Sequence, residues 1–343
     1  MKNIRSNMKL IHTGDLHLKK SFNNINFDKK LRQEDLWITF ENIVKASNDV
    51  DFLLLCGDLY EREFFTLSDL KRFFQTLAST SARVLLCFGN HDFIVDREVL
   101  DIVDIPENVY IFGNSLDYFE FEDTRFYGFS WDRDSDPKID LNINLDHNFT
   151  NILMIHGSYE DMDKYFSFTN EDISRYDFVF LGHIHKSCEP AKNVYYSGSP
   201  EGLSFSETGD RTYNLVNIVD KNIILEKIKS NRRNVVNEKI DVTGVELYKL
   251  IDRISKFSDE DVVRIELMGK AENPKYFFET LNERFPSIVF ENKMEMKVNL
   301  EEIIDRNQDN FLGKYLEKLS LDKPLERRAI EIGLELLGDY NEI

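Results

Sequence analysis

Nine side chains able to bind metal or move protons sit in five short turns, each placed directly behind an apolar run. After "KLIHT" come Asp15 and His17; after "DFLLLC" comes Asp58; after "RVLLCF" come Asn90, His91 and Asp92; after "NILMI" comes His156; after "DFVFLG" come His183 and His185. In an extended segment residues i and i+2 face the same side, so His183 and His185 look into one space. A single histidine behind a strand, or a single Gly-Asp turn, carries little information. Five such turns in succession, holding five of the seven histidines, define a composite metal site. His12, inside the first run, and His147, in a loop, are given no role. Imidazole, carboxylate and amide without thiolate suit Mn²⁺, Fe²⁺ or Zn²⁺. Asp15, His17, Asp58, Asn90, His156, His183 and His185 are too many ligands for one open catalytic ion. They suit a pair about 3.5–4 Å apart, which polarises a phosphoryl oxygen and activates water, with Asp58, alone in its turn, as the bridge.

The elements that must carry these turns can be read from period and length. "MKLIHT", "DFLLLC", "RVLLCF", "NVYIF", "TRFYGF", "NILMIH", "DFVFLG", "NVYYSG" and "TYNLVNIV" have the length and the β-branched or aromatic content of strands. Leu36, Phe40, Ile43, Val44 and Ser47 follow a helical period, and "TLSDLKRFFQTLAST" is a second helix with Thr66 or Ser68 as its N-cap. The pattern is βαβα followed by closely spaced strands, which predicts an α/β domain with mixed sheets and active residues at the strands' carboxyl ends. Residues 221–239 carry six Lys or Arg against two Glu, read first as a solvated strand and linker. A small α+β domain is expected to end near residue 300. Beyond it lies an amphipathic helical segment, one face formed by Phe311, Leu312, Tyr315, Leu316 and Leu319 and another by Leu325, Ala329, Ile332 and Leu336, with Pro324 in a first turn. The expected divisions are 1–220, 221–300 and 301–343.

Composition narrows the function classes. With 42% hydrophobic and 31% charged residues, the chain is that of a folded protein. Its net charge of −19 is the opposite of what a protein holding a polyanion by electrostatics alone would show. Three cysteines make no disulfide framework; Cys56 and Cys87 read as buried hydrophobes, and Cys188 as structural. Neither a signal peptide nor a run of membrane-spanning length is visible, so a cytoplasmic location is expected.

The order D-x-H, G-D, G-N-H-D, H-G, G-H-x-H resembles the calcineurin-like metallophosphoesterase superfamily. Within it, "LIHTGDLHL", "LLLCGDLYER", "FGNHD", "DFVFLGHIHKS" and "YYSGSPEGLSFSETG" are similar to the SbcD-type nuclease subunits of SbcCD double-strand-break repair complexes. The resemblance covers roughly residues 8–220. It implies a sandwich of two mixed β-sheets flanked by helices, a small α+β capping domain, and a C-terminal helical segment. It also implies that Asp15, His17, Asp58 and His185 hold one ion and Asp58, Asn90, His156 and His183 the other, most often Mn²⁺. His91 matches the family's catalytic histidine and Asp92 its orienting partner. The implied activity is exonuclease and endonuclease cleavage of DNA with an SbcC-type coiled-coil ATPase clasped by the C-terminal helices. A homodimer through residues 31–48 and 66–80 is implied too, with Trp37 and Phe40 as candidate anchors and Lys229, Arg232 and Arg233 as candidate DNA contacts. Gly14, Leu16 and Ser197 depart from the family pattern without touching a ligand position. Two other readings stay open: a phosphomonoesterase or small-molecule phosphodiesterase of the same superfamily, and a non-catalytic scaffold. "GNHD" in place of "GNHE" argues against protein phosphatases, and the intact ligand set argues against a scaffold.

Overall fold

The computed structural model describes the chain except residues 1–6, 24, 25, 27, 95–97, 134–136, 161–164, 259, 298–302, 304, 306, 308–310, 321 and 338–343, and the side chains of 98, 99, 331 and 335–337. Its strands, in chain order, are β1 Asn7–Thr13, β2 Phe52–Cys56, β3 Arg83–Cys87, β4 Val109–Ile111, β5 Asp117–Phe121, β6 Thr124–Gly128, β7 Thr150–His156, β8 Ser158–Tyr159, β9 Ser167–Phe168, β10 Phe178–Gly182, β11 Cys188–Ala191, β12 Val194–Tyr196, β13 Thr212–Val219, β14 Asn222–Lys229, β15 Val235–Asp241, β16 Val262–Ala271 and β17 Val289–Met296. The helices are α1 Lys29–Ala46, α2 Leu67–Leu77, the short α3 Glu98–Asp101 and α4 Asn170–Ile173, α5 Leu247–Ile254, α6 Pro274–Arg284, α7 Phe311–Leu316 and α8 Pro324–Leu337.

The chain divides into two compact units, Met1–Val236 with Asp259–Val262, and Asn237–Ser258 with Val263–Ile343. The first is built on two six-stranded sheets, ordered β14-β13-β1-β2-β3-β4 and β11-β12-β10-β7-β6-β5. β1 to β4 run parallel while β13 and β14 are antiparallel additions; in the other sheet β6, β7, β10 and β12 are parallel and β5 and β11 antiparallel. Both sheets are therefore mixed, as expected.

The central strands β2, β3, β7 and β10 are buried without alternation because each face meets a different core. Along β2, Leu53 and Leu55 face a layer shared with α1 and α2, whereas Phe52, Leu54 and Cys56 face the layer between the sheets, opposite Phe126, Ile152, Met154 and Phe180. Cys56 and Cys87 are thus interlayer packing residues. Asp28 caps α1 through Lys30 N–H at 2.8 Å, and Thr66 caps α2 in a reciprocal capping box with Asp69.

Two sequence expectations are corrected here. The division expected after residue 220 falls inside a hairpin. Val219 pairs with Asn222 across a two-residue turn in which Asp220 and Lys221 have φ of 50° and 59°, and β14 then pairs with β13 along its length. Trp37 and Phe40, expected as dimer anchors, are 2% and 0% exposed. Phe40 stacks on Phe73 and Trp37 on Phe65, both at the helix–sheet core, so neither is free to meet another protomer.

The second unit carries the three-stranded sheet β15-β16-β17, in which β16 and β17 are parallel, with Leu250, Ile254, Ile265, Leu267 and Leu281 buried. In α7 and α8 the inward stripe is Leu312, Leu316, Ile330 and Leu334. Phe311 and Leu325, expected on the apolar faces, are 80% and 87% exposed, and the side chain of Leu336 lies outside the described residues. Among the described residues no helix is long and apolar enough to cross a membrane.

Candidate metal centre

Parallel pairing does not stop where β1 and β2 end. Asp15 N–H donates to Gly57 O, His17 N–H to Asp58 O, Leu18 N–H to Leu59 O and Glu61 N–H to Leu18 O, all at 2.9–3.0 Å. These bonds carry two site loops forward as one unit. They also hold Asp15, His17 and Asp58 at φ of 50°, 45° and 51°, and His183 sits at 103°. Left-handed backbone at such residues costs about 1–3 kcal/mol each and persists only where the surroundings over-determine it. Close packing between the sheets at Gly182, and between neighbouring turns at Gly89, imposes two glycines. A Cβ on Gly182 would fall 1.8 Å from Cys56 O, and one on Gly89 would fall 2.4 Å from Asp58 Oδ1.

The turns from both sheets converge. His17 Nε2 lies 3.2 Å from His185 Nε2 and 3.6 Å from Asp58 Oδ2. His156 Nε2 lies 3.0 Å from Asn90 Oδ1 and 3.3 Å from Asp58 Oδ2. Ligand atoms within 4.8 Å of one another group Asp15, His17 and His185; Asp15, Asp58 and His156; and His17, Asp58 and His91. Asp15, His17, Asp58 and His156 are buried. His183 contributes its backbone N–H to both Asp15 oxygens at 3.0 Å, and its ring stands edge-on to His156 at 5.3 Å; its ring nitrogens fall outside those three groups.

The outer nitrogens decide whether a cation fits. His17 Nδ1 faces Glu61 Oε1 at 2.8 Å, His185 Nδ1 faces Glu207 Oε1 at 3.1 Å, and His156 Nδ1 faces Cys56 O at 3.0 Å. All three partners only accept, so Nδ1 carries a proton in each ring, and in the neutral ring the Nε2 lone pair points inward. Two lone pairs 3.2 Å apart repel each other unless a proton or a metal cation lies between them. Bonds of about 2.0–2.1 Å to one tetrahedral ion place its ligand atoms roughly 3.3 Å apart. The donor set therefore fits divalent metal.

Electrostatics follow from the same contacts. Burial works against the charged form of Asp58, yet His156 and His17 hold its carboxyl well below the usual range. Burial opposes the His156 cation as well, but the Asp58 charge raises its pKa to about 9. His183, penalised by burial and by His156, is lowered to about 4. His185 is raised despite burial, through its hydrogen bond to Glu207.

His91, 40% exposed at the rim, is held through Nδ1 by Glu61 Oε2 at 3.1 Å, the contact that chiefly raises its pKa. Asp92, expected to orient it, makes no hydrogen bond to that ring among the described residues. Its buried carboxylate instead accepts the backbone N–H groups of Leu59 at 2.6 Å, Gly89 at 2.5 Å and Asp58 at 3.2 Å, tying the second and third site turns together. Burial and the nearby Asp58 charge push Asp92 up to about 7.

The sequence reading passed over Glu61, Glu207 and Arg211. Glu207 also accepts from Ser199, Leu203 N–H and Ser204, and Arg211 donates to the His185 carbonyl. Glu61 and Glu207 lie within quoted motifs, "GDLYER" and "GLSFSETG", but a carboxylate that grips the far side of an imidazole has no periodic signature.

The residues expected to contact DNA are ion-paired within the chain. Arg232 and Arg233 clamp Asp35, which is 3% exposed, at 3.0 and 2.6 Å, beside the buried Arg32–Glu201 pair at 2.9 Å. Lys229 is paired with Asp210. Arg232 and Arg233 thereby fasten α1, and the Arg232 N–H donates to Glu201 of the "SPEG" turn at 2.6 Å.

This sandwich, with metal-binding turns at the carboxyl ends of strands from both sheets, defines a metal-dependent phosphoesterase. Residues 8–187 match the family model for calcineurin-like phosphoesterase, and the chain belongs to that family. It is 30% identical over 312 residues to the uncharacterized metallophosphoesterase YhaO of Bacillus subtilis (strain 168), an alignment covering 80% of this chain and 74% of that one. It is 24% identical over 309 residues to the DNA double-strand break repair protein Mre11 of Methanosarcina acetivorans, covering 79% of this chain but 47% of the relative, so the chain spans about half that protein's length. Among solved structures, one described as a novel archaeal phosphodiesterase aligns over 64% of this chain and 100% of that one at 18% identity, with a TM-score of 0.35.

Proposed function

We propose that the chain is a nuclease subunit of the SbcD and Mre11 kind: a Mn²⁺-dependent phosphodiester hydrolase that cuts DNA in double-strand-break repair. The observation that carries the hydrolase part is the pair of inward Nε2 atoms of His17 and His185, 3.2 Å apart with both outer nitrogens already committed. The DNA part is supported by the "GSPEGLSF" resemblance and by Mre11 among the relatives. The same reading includes a homodimer, an SbcC-type coiled-coil ATPase and a cytoplasmic location. The exposure of Phe311 and Leu325 supports the ATPase part of that reading.

Asp15, His17, Asp58, Asn90, His156 and His185 would hold the ions, with His183 beside them as the remaining ligand of the expected set. Bound there, divalent ions supply the positive charge that polarises a phosphoryl oxygen and eases deprotonation of water. Glu61, Glu207 and the Cys56 carbonyl fix the histidine tautomers beforehand. His91 has no hydrogen-bond partner on Nε2 among the described residues. With its pKa raised by Glu61, it is protonated more readily at neutral pH and can deliver that proton to the leaving alkoxide, a contribution of roughly 10²–10⁴-fold.

The net charge of −19 and the ion-paired Arg232 and Arg233 favour a second reading, a phosphodiesterase of small substrates. Cleavage of a labelled hairpin and a linear duplex with Mn²⁺, set beside a nitrophenyl diester, separates the two. The nuclease reading expects DNA cutting that is lost in Asp58→Ala and His91→Ala, with metal retained by the His91 variant. Turnover of the small ester alone, with or without an ATPase partner, overturns it.

A further inference from the structure

Lys20 stands beside the centre in a turn that leaves it little freedom. Its N–H donates to His17 O at 2.9 Å, Leu18 before it is bridged to Tyr60, and the flanking His17 and Lys19 have φ of 45° and 73°. Its ammonium lies 3.2 Å from Glu61 Oε1 and is 28% exposed. Neighbouring cations are otherwise engaged: Lys19 pairs with Asp69 at 3.0 Å, Arg62 lies over the Phe93 ring, and Arg211 is buried beneath His185. The charge on Lys20 reaches three imidazoles of the site, lowering the proton affinity of His17, His91 and His185.

Pairing with Glu61 engages only part of the lysine. Glu61 also accepts from the Nδ1 atoms of His17 and His91 at 2.8 and 3.1 Å, so its single charge is shared among three donors. An ammonium has three donors, and among the described residues Lys20 commits one of them. The other two lie at the rim of a centre whose ligand, in this family, carries negatively charged oxygens. A chain with net charge −19 needs local positive charge there to receive such a ligand.

We infer that Lys20 is a substrate-binding residue whose ammonium takes a non-bridging phosphate oxygen of an ester seated on the metal centre, with Glu61 holding the ammonium in position. The inference rests on the phosphoesterase reading and adds to it the group that recognises phosphate independently of what the ester carries.

The test uses the Mn²⁺-loaded chain as wild type, Lys20→Met and Lys20→Arg. Calorimetry gives the affinities for inorganic phosphate and for Mn²⁺, and kinetics with bis(4-nitrophenyl) phosphate give KM and kcat separately. Losing one charged hydrogen bond predicts about 10–100-fold weaker phosphate binding and a raised KM in Lys20→Met. Mn²⁺ affinity should hold or tighten, because a repelling charge has gone, and Lys20→Arg should restore phosphate binding. Unchanged phosphate affinity in Lys20→Met overturns the inference. So does a parallel loss of Mn²⁺ affinity that Lys20→Arg fails to repair, since Lys20 would then act only through Glu61. If wild type turns over no ester, the phosphoesterase reading fails on its own account, while the phosphate titration still decides the role of Lys20.

Discussion

Replacing Glu61 by Gln changes one atom and disturbs two histidines. In the wild type one oxygen accepts from His17 Nδ1 at 2.8 Å and the other from His91 Nδ1 at 3.1 Å. Glutamine keeps one acceptor and turns the other into a donor, so one ring must lose its bond or change tautomer. If the ring is His17, its Nε2 becomes protonated and no longer offers a lone pair to metal. Mutating such an outer partner typically costs 10–100-fold in metal affinity, about 1.4–2.8 kcal/mol. If the ring is His91, the contact chiefly responsible for its raised pKa is gone and that pKa falls. Because His91 acts as the protonated acid, the alkaline limb of the pH–rate profile then moves to lower pH. Metal titration calorimetry, with a pH–rate profile on a chromogenic diester, reads both effects. A Glu61→Gln protein with wild-type metal affinity and an unmoved alkaline limb would refute the tautomer argument on which the site rests.

Buried groups set three further outcomes. His12, with Nε2–H on Leu181 O and Nδ1 accepting from Asn214, has no room for a second proton, and burial lowers its pKa from 6.5 to about 3. The unfolded chain takes up that proton below pH 6.5 and the native one does not. Stability is thus lost as pH falls from about 6.5 toward 3, at up to about 1.4 kcal/mol per unit, and denaturant titrations of His12→Leu should lack that part of the slope. Phe40→Ala should cost about 3–5 kcal/mol and lower the melting temperature without changing the oligomeric state seen by light scattering; a shift in assembly at unchanged stability would return Phe40 to an interface. Chelation should lower the melting temperature of wild type and leave that of Asp58→Ala nearly unmoved, since a ligand that binds only the native state stabilises it by mass action.

Chemistry that depends on residue type and chain order was open to direct reading. Asp, His and Asn behind five apolar runs announced a metal site, because a parallel strand delivers the turn behind it to one edge of its sheet whatever its neighbours are. The mixed sheets and the two leading helices were legible for a similar reason: burial on each face leaves a period in the chain. Which apolar face of a helix stays covered was not legible. Trp37 and Phe40 carry the same period whether they meet a partner or, as here, Phe65 and Phe73 from a segment some thirty residues away. Nor did local charge tell where charge is spent. Arg232 and Arg233 both pair with Asp35, almost two hundred residues earlier in the chain.

Side-chain type and position after each strand were enough to single out the turns that converge on the candidate metal centre. The protonation and aim of those side chains came from tertiary structure. Glu61, Glu207 and the Cys56 carbonyl come from other segments to take the outer protons of His17, His185 and His156, and a hydrogen bond between distant segments exists only once both have been folded into place.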